Sequence, residues 1–455
     1  MNEAEKKILG EIVGGIERME ITGVSIDSRT IKAGELFVAI RGDRFDGHDF
    51  VPDALKRGAW GAVVERTVLE TRYASIGGLK NIIAVEDTLL SLQELSLIHR
   101  KKFSLPVVGI TGSNGKTTTK EMLACILRQK GPVLRNEGNL NNHIGVPLTL
   151  LKFDASHRSA VIEMGMSALG EIETLTRLVS PDVGVITNIG PAHLEFLGST
   201  DMVAQAKAEL IENMRLDGTA VLNADDPYFD LLKGKFYGSI LSFGIKNNAD
   251  VMAGDVRPAK DAMDFTLRTD GCSVPVRLRA VGTHNVSNAL AAAAAALAVG
   301  MPMESVKFGL EDFSPVAMRS ELKPVEGRLV LADYYNANPG SVTAALETLV
   351  SLRSGKAAVA VLGDMLELGE AAPEAHREMG RTVARLGVDL LVTVGTLAAY
   401  IAEGAIDGGM PRERVVEAKS HAAAAALLKE RTRRGDTILI KGSRGMKMEK
   451  ILEEF

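Results

Sequence analysis

The residues with the clearest chemistry lie in one stretch, Val107-Val-Gly-Ile-Thr-Gly-Ser-Asn-Gly-Lys-Thr-Thr118. Its glycines, Gly112 and Gly115, let backbone N–H groups curve around phosphate oxygens. Lys116 can reach the β- and γ-phosphates, and the Thr117 hydroxyl can ligate Mg²⁺. These residue types in this order predict a site for a nucleoside triphosphate.

The flanking elements match that interpretation. Val107 to Ile110 is apolar and predicts a buried parallel strand, and Thr118 to Gln129 carries apolar residues at helical spacing. A helix N-terminus directly after the loop favours an anion. Ile110 stands where the longer phosphate-loop motif has its first glycine, so a glycine turn beside a chance Lys-Thr pair is the alternative. The strand before and the helix after favour phosphate binding.

Further polar residues follow predicted strands. Glu163 ends a buried strand and could complete a Mg²⁺ shell with Thr117, because hard cations prefer oxygen ligands; an N-cap or solvated Glu is the alternative. His193 follows the next strand, where a lone His is more often structural. Lys207, on a predicted helix, would ordinarily be a solvated surface lysine.

Two asparagine clusters and one N-terminal stretch are further candidates. The clusters comprise residues 136–143 and 336–338, and their amides suit a peptide or sugar substrate; turn chemistry is the alternative. Near the N-terminus, Ser28, Arg29 and the Gly47-His48 loop could bind a phosphorylated ligand. The alternative is that they are polar turn residues of a small α/β module.

The elements that must position these residues fall into three predicted domains. Residues 1–104 predict a small α/β domain of short strands. Residues 105–315 alternate strand and helix, which predicts a parallel sheet covered on both faces, with ligands at the carboxyl ends of its strands. Residues 316–455 alternate again and predict a Rossmann-like domain. The expected fold class is therefore α/β.

Composition excludes several classes of protein. The 455-residue chain has a net charge of −5 and 4% aromatic residues, so no nucleic-acid partner is expected. Cys125 and Cys272 are too few for a disulfide framework or a zinc site. The charged first seven residues lack the apolar region of a signal peptide, and no apolar run is long enough to span a bilayer. A cytoplasmic enzyme is the expectation.

Taken together, the motifs identify a family resemblance over essentially the whole length. The sequence resembles the ATP-dependent Mur ligases of peptidoglycan synthesis. The residues that carry the resemblance are Thr111–Thr118, Glu163 in Glu-Met-Gly, Asn188-Ile-Gly-Pro-Ala-His193, Lys207 in Ala-Lys-Ala-Glu, Gly282–Asn288, Arg319 and Asp333-Tyr-Tyr-Asn-Ala-Asn338. One departure is Ala332, where the family often has a second Asp.

Two stretches point to one activity within the family. Asn139–Pro147 and Leu362–Gly369 resemble members that join D-alanyl-D-alanine to UDP-N-acetylmuramoyl-tripeptide, and the Asp-Asn-Pro-Arg motif of members adding diaminopimelate or lysine is absent. The apolar Met365, Leu366 and Leu368 suit a ligand with two methyl side chains. The alternative is that they pack into the domain core.

The resemblance also assigns roles to individual residues. It implies an ATP site formed by Gly112, Ser113, Asn114, Gly115, Lys116, Thr117, Thr118, Asn288, Arg319 and Asp333. It implies two Mg²⁺ ions, one on Thr117 and Glu163 and one on His193 and a carbamate carried by Lys207. Lys116, Lys207, His193 and Arg319 are the implied catalytic residues. The implied substrate contacts are Ser28, Arg29, Gly47, His48, Asn142, Asn336, Asn338, Asp364 and Met365.

The expected reaction is phosphoryl transfer to the tripeptide carboxylate, followed by attack of the dipeptide amine on the acyl phosphate. A monomer is expected. Three alternatives remain open: another Mur-type ligase or a folylpolyglutamate synthase, a regulatory or partner-driven ATPase, and a non-catalytic scaffold.

Overall fold

The structure is a computed structural model that describes residues 21–72, 81–353 and 355–455, together with the backbone of Glu11–Val13. The charged first seven residues, on which the expectation of no signal peptide depends, lie outside these ranges. The chain divides into two compact units. The first comprises Met1–Val107, Pro132–Met164 and Glu173–Ser180; the second comprises Val108–Gly131, Gly165–Ile172 and Pro181–Phe455. The domain boundaries after residues 104 and 315 stay predictions.

The N-terminal region forms a small sheet. Its elements are β1 (Glu11–Val13), β2 (Gly23–Ser25), β3 (Glu35–Val38), α1 (Val51–Lys56), β4 (Gly61–Glu65), α2 (Arg66–Arg72), β5 (Ile82–Val85) and α3 (Thr88–Arg100). The strand order is β1-β5-β4-β3-β2, with β1 antiparallel and the others parallel. Alternate residues of β3 enter separate cores: Phe37 packs on one face, and Leu36 and Val38 pack on the other.

The middle region alternates strand and helix before it becomes antiparallel. Its elements are β6 (Val107–Thr111), α4 (Lys116–Leu127), β7 (Val133–Arg135), α5 (Gly145–Leu150), β8 (Ser159–Glu163), α6 (Glu171–Val179), β9 (Val183–Ile186), α7 (Leu194–Leu197), α8 (Thr200–Glu212), β10 (Thr219–Asn223), α9 (Phe229–Lys233), β11 (Ser239–Gly244), β12 (Val251–Pro258), β13 (Met263–Thr269), β14 (Cys272–Leu278), α10 (Thr283–Ala298) and α11 (Met303–Asp312).

In the second unit, the strands of this region follow the order β14-β13-β12-β11-β10-β9-β6. Neighbours from β6 to β12 are parallel, and β12, β13 and β14 are antiparallel. Strands β7 and β8 form a parallel pair within the first unit. Residues of β13 and β14 alternate between buried and more exposed, as expected for an antiparallel sheet with one solvated face.

The C-terminal region forms a six-stranded sheet with the order β15-β16-β20-β17-β18-β19. Its elements are β15 (Glu321–Val325), β16 (Arg328–Ala332), α12 (Pro339–Leu352), β17 (Ala358–Gly363), α13 (Ala372–Arg385), β18 (Leu390–Val394), α14 (Ala398–Asp407), β19 (Val415–Ala418), α15 (His421–Arg431), β20 (Thr437–Lys441) and α16 (Lys450–Glu454). All neighbours are parallel except β15 and β16. Apolar cores cover both faces.

The α/β class with parallel sheets is confirmed, with local differences from expectation. Helix α4 begins at Lys116, two positions before the predicted start, so Lys116 and Thr117 belong to its first turn. Strand β15 lacks a clear sequence signal because it carries Pro324 and charged residues, which an antiparallel edge strand tolerates. Within the described ranges, no helix is long and apolar enough to cross a membrane.

Candidate active site

The nucleotide loop, residues 112–115, joins β6 to α4 in a conformation that requires glycine at both ends. Gly112 has φ 149° and Gly115 has φ 82°. A Cβ at residue 112 would lie 1.9 Å from Thr187 Oγ1, and one at residue 115 would lie 2.1 Å from Asn288 Oδ1. Larger residues therefore cannot replace these glycines without moving the loop.

The segment after β9 holds this loop from one side. The backbone N–H of Ser113 donates to the Asn188 carbonyl at 2.9 Å, and the Asn114 N–H donates to Asn188 Oδ1 at 2.9 Å. Thr187 Oγ1 donates to the Asn114 carbonyl at 2.6 Å. The Ser113 hydroxyl donates to the Gly190 carbonyl at 3.0 Å. The loop is thus held in place by the protein before any ligand arrives.

Lys116 and Thr117 occupy the first turn of α4. Lys116 Nζ donates to the Gly112 carbonyl at 2.7 Å, so the ammonium lies over the loop that is expected to bind the phosphates. Thr117 is buried. A helix N-terminus with a lysine folded over a glycine loop concentrates positive potential where phosphate oxygens would bind. Thr118 follows in the same turn.

Lys207 is buried in α8, with 2% of its surface exposed. Burial, and secondarily the positive charge of Lys116, lower the pKa of its ammonium well below the usual value. A lysine with a lowered pKa has a larger share of neutral amine, which is the nucleophilic form. The sequence interpretation of Lys207 as a solvated surface lysine is therefore wrong. Burial of the amine is a signal that spacing alone does not carry.

His193 precedes the short helix α7 and has a left-handed backbone with φ 56°. Its Nδ1 lies 2.7 Å from Glu367 Oε2. The hydrogen bond from His193 lowers the pKa of the Glu367 carboxyl against the opposing effect of its partial burial. Glu367 also accepts the Glu195 N–H through its backbone carbonyl, at 3.2 Å. Two contacts therefore join α7 to the loop between β17 and α13.

Glu163 lies in the first unit and is 3% exposed. Its Oε1 accepts from Asn141 Nδ2 at 2.8 Å, and its backbone N–H and carbonyl both pair with the Asn136 amide. The asparagine cluster therefore orients this carboxylate, which was not an expected role for it.

The expected metal ligands are Thr117, Glu163, His193 and a carbamate on Lys207. In the ranges that the structure describes, no group of three or more His, Cys, Asp and Glu residues could hold a metal ion. The expected set contains only Glu163 and His193 of those types. Hydroxyl, phosphate and carbamate oxygens would have to supply the rest, which suits Mg²⁺ because it prefers oxygen ligands and often binds with substrate phosphates. Each of these side chains offers a donor atom that suits Mg²⁺, and their binding of metal stays a prediction.

Residues of α10 and of the C-terminal sheet supply the remaining expected ATP contacts. Asn288 is 6% exposed, and its Nδ2 donates to Asn285 Oδ1 at 3.1 Å. The Arg319 guanidinium lies over the Tyr335 ring at 3.9 Å from its centroid. Asp333 follows β16 and accepts the Ser320 N–H at 2.9 Å. Their contacts with ATP stay predictions.

Lys441, at the end of β20, was missed by the sequence analysis. It is 2% exposed, and its Nζ lies 2.6 Å from Asp333 Oδ2 and 2.9 Å from the Asn336 carbonyl. Burial tends to raise the pKa of the Asp333 carboxyl, but the Lys441 ammonium outweighs it and holds that pKa below the usual value. The available signal was a lysine at the carboxyl end of an apolar strand.

Asn338 connects the C-terminal sheet to the nucleotide loop. Its Oδ1 accepts the Ser341 N–H at 2.9 Å and completes a capping box at the start of α12. Its Nδ2 donates to Asn114 Oδ1 at 2.8 Å. The same amide thus begins a helix and holds a residue of the phosphate loop, so its position is set by both.

The expected nucleotide-sugar contacts in the first unit have defined partners. Ser28 is buried, whereas the Arg29 side chain is 84% exposed and pairs with Asp27 at 2.7 Å. The His48 imidazole is fully buried, with Nδ1 2.6 Å from Asp46 Oδ1 and Nε2 accepting the Glu65 N–H at 3.0 Å. Contacts of a substrate with Ser28, Arg29, Gly47 and His48 stay predictions.

Asn142 and Asn336 make turn contacts. Asn142 Oδ1 accepts the Gly145 N–H at 2.9 Å, and Asn336 Oδ1 accepts the Ala337 N–H at 2.9 Å. Both contacts match the alternative of turn chemistry, and substrate binding by these residues stays a prediction.

An open cavity of about 540 Å³ lies beside the loop between β17 and α13. It is lined by Glu195, Met365, Leu366, Glu367, Leu368, Gly369, Glu370, Ala372, Pro373 and Leu397. Met365 is fully buried in the domain core, whereas Leu366 is 41% exposed. Asp364 is buried, and its Oδ1 accepts the Ala398 N–H at 2.7 Å. Leu366 therefore offers the cavity more surface than Met365 does.

Comparison with known families finds three matches along the chain. The Mur ligase family catalytic domain matches residues 20–97, the Mur ligase middle domain matches 110–296, and the Mur ligase glutamate ligase domain matches 318–444.

Individual proteins match over nearly the full length. The UDP-N-acetylmuramoyl-tripeptide–D-alanyl-D-alanine ligase of Bacillus subtilis is 38% identical over 96% of this chain and 94% of its own. The crystal structure of MurF from Acinetobacter baumannii is 34% identical, covers 99% of this chain and 97% of its own, and has a TM-score of 0.91. MurF from Thermotoga maritima, solved with ADP, is 31% identical over 96% and 97%, with a TM-score of 0.85.

Proposed function

This chain belongs to the Mur ligase family, and we propose that it joins D-alanyl-D-alanine to UDP-N-acetylmuramoyl-tripeptide with cleavage of ATP to ADP and phosphate. The relatives with this activity in their names cover nearly the whole chain. The Thermotoga maritima relative was solved in complex with ADP, which supports ATP as the co-substrate.

The observation that carries the proposal is the 2.8 Å hydrogen bond between Asn114 and Asn338. It joins the phosphate loop directly to the start of α12, in the domain expected to receive the amine. A ligase needs these parts together because an acyl phosphate formed at the loop must meet the amine before water does. A stand-alone ATPase or a scaffold needs no such contact.

The reaction has two steps. The terminal carboxylate of the tripeptide attacks the γ-phosphorus of ATP, a P–O bond forms, and ADP leaves. The dipeptide amine then attacks the acyl carbon, phosphate leaves, and the amine proton is released to solvent. Lys116 and Arg319 offset the negative charge that two approaching anions bring together.

Bound Mg²⁺ would neutralise charge on the phosphate oxygens, and Thr117, Glu163 and His193 are the residues that would hold it. We propose that Lys207 carries a carbamate. Burial lowers the pKa of its ammonium and so favours the neutral amine, which can attack CO₂, form a C–N bond and release a proton. The product is an anion with oxygen atoms for a metal, where an ammonium would repel one.

Panels of UDP-muramoyl peptides and amines, with phosphate release as the readout, test the activity. Wild type should turn over fastest with the tripeptide nucleotide and D-alanyl-D-alanine. Preferred turnover with diaminopimelate, lysine or D-glutamate and its matching acceptor would assign another member of the family. Phosphate release without any peptide would favour the ATPase. Lys116→Ala is the negative control.

We further propose a cytoplasmic location and a monomer. The location rests on the proposed substrates, of which ATP and UDP-N-acetylmuramoyl-tripeptide are nucleotides. Size-exclusion chromatography with light scattering at working concentration tests the second proposal, and a stable dimer would contradict it.

A further inference from the structure

His376, in the second turn of α13, has an environment that the proposed function does not explain. The side chain is fully buried. Its Nδ1 lies 2.6 Å from the Ala372 carbonyl, and its Nε2 accepts the Met365 backbone N–H at 2.9 Å. An Nε2 that accepts carries no proton, so Nδ1 must be the protonated nitrogen that donates to Ala372. Burial lowers the pKa of this imidazole, against opposing effects of the Ala372 hydrogen bond and the Asp364 charge.

The two backbone partners of His376 lie at opposite ends of one loop. Met365 follows β17 and Ala372 begins α13, and the residues between them line the cavity of about 540 Å³. Glu367 and Gly369, in the middle of the loop, have positive φ values of 63° and 55°. A non-glycine residue in this region is costly and persists only where its surroundings hold it. A single ring joining both ends is well placed to do so.

Both ring nitrogens bond to backbone groups at the two ends of this loop, and among the described residues neither bonds to the sheet or to another helix. A histidine present only to fill the core could be replaced by an apolar residue without leaving a buried N–H unpaired. Here, loss of the ring would leave the Met365 N–H without its acceptor, inside the core. The side chain therefore controls where the cavity-lining residues lie.

Resting on the proposed function, we propose that His376 is a positioning residue for the amine substrate. It fixes the loop that lines the cavity of about 540 Å³, to which the same proposal assigns D-alanyl-D-alanine, and so sets affinity for the dipeptide without touching it.

Three variants of the full-length protein test this proposal. His376→Phe keeps the ring volume and removes both hydrogen bonds. His376→Gln keeps an acceptor that can reach the Met365 N–H. Val383→Ala is the matched control. Val383 is fully buried in the same helix and the same core, and its side chain has no polar atom that could hydrogen-bond to the loop. Thermal unfolding ranks their stability.

For His376→Phe, we expect the KM for D-alanyl-D-alanine to rise about tenfold, the order expected when a buried donor loses its acceptor, with the KM for ATP unchanged. His376→Gln should recover part of the rise. Val383→Ala should lower the melting temperature and leave both KM values unchanged. Faster hydrogen exchange at Met365 in His376→Phe would locate the effect in the loop.

An unchanged dipeptide KM in a folded His376→Phe, or an equal rise in Val383→Ala, overturns the proposal. So does a parallel rise in the KM for ATP. If His376→Phe does not fold, the decision rests on His376→Gln. Faster amide exchange in its loop together with a wild-type KM for the dipeptide would show that the loop position does not affect binding, and would overturn the proposal. If wild type prefers another amine, the proposed function falls, and the same variants assayed with that amine still decide the role of His376.

Discussion

Replacing Lys441 by Met should destabilise the C-terminal sheet, because it leaves the buried Asp333 carboxylate without its ion-pair partner. Methionine matches the length of the lysine stem and removes only the ammonium. That ammonium is 2.6 Å from Asp333 Oδ2 and 2.9 Å from the Asn336 carbonyl. After the substitution, the Ser320 N–H is the hydrogen-bond donor that Asp333 keeps in the described part of the chain. A carboxylate would then stay buried beside an apolar group.

Removing one partner of a buried ion pair costs about 3–5 kcal/mol, because the remaining charge has lost its compensation. The Asp333 side chain is 15% exposed, so water can relieve part of this cost. We therefore expect about 3 kcal/mol, the lower end of that range. The population of locally opened molecules should rise by roughly two orders of magnitude, since 1.36 kcal/mol corresponds to tenfold.

Acidity should change the size of this effect. In wild type the Asp333 pKa lies below its usual value, so the ion pair contributes fully above the ordinary aspartate pKa and is lost only as the pH falls through the lowered one. Without Lys441, burial is no longer outweighed and the Asp333 pKa should rise. The variant can then relieve its cost by protonation, and the gap to wild type should narrow as the pH falls from neutral toward 5.

Native-state amide exchange of β16 and β20 in the full-length protein measures this local opening without assuming a single unfolding transition. The double variant Asp333→Asn, Lys441→Met removes both charges and should recover most of the loss. A Lys441→Met protein whose β20 exchanges at the wild-type rate at pH 7 would refute the reasoning. So would a double variant no more protected than Lys441→Met alone.

The other predictions concern the phosphate loop. Lys116→Ala should lower ligation by a factor on the order of 10³ with an unchanged circular dichroism spectrum, and near-normal turnover would contradict its role. Lys207→Ala should lose activity and recover part of it in formate or acetate, which supply the missing oxygens; full activity without them would exclude the carbamate. Asn338→Ser keeps an N-cap residue but loses the donor to Asn114, and should raise the KM for ATP about fivefold. That increase should disappear in an Asn114→Ala background, and simple additivity would show that the two amides are not coupled.

The sequence was most informative where structure is local. Val107 to Lys116 determine a strand, a glycine loop and a helix start through neighbouring residues, and the structure has all of them. The ion pair of Asp333 with Lys441 joins residues 108 positions apart, and it forms because β20 pairs with β16. Periodicity within either strand cannot give that sheet order. His376 was missed for a related reason, since its partners are backbone groups whose positions depend on the fold of a loop.

The pairing of Asn114 with Asn338 suggests why phosphate transfer and amine capture are coupled in one protein. The backbone of Asn114 is bound by Thr187 and Asn188, which leaves its side chain to hydrogen-bond with another element. The partner amide begins α12, five residues after Asp333, and Lys441 holds the intervening backbone through the Asn336 carbonyl. A shift of the phosphate loop on nucleotide binding would therefore act on a rigid segment rather than on a free linker. An acyl phosphate is exposed to water until an amine attacks it. A direct bond between the phosphate loop and the region expected to bind the amine would bring the amine close when the acyl phosphate forms.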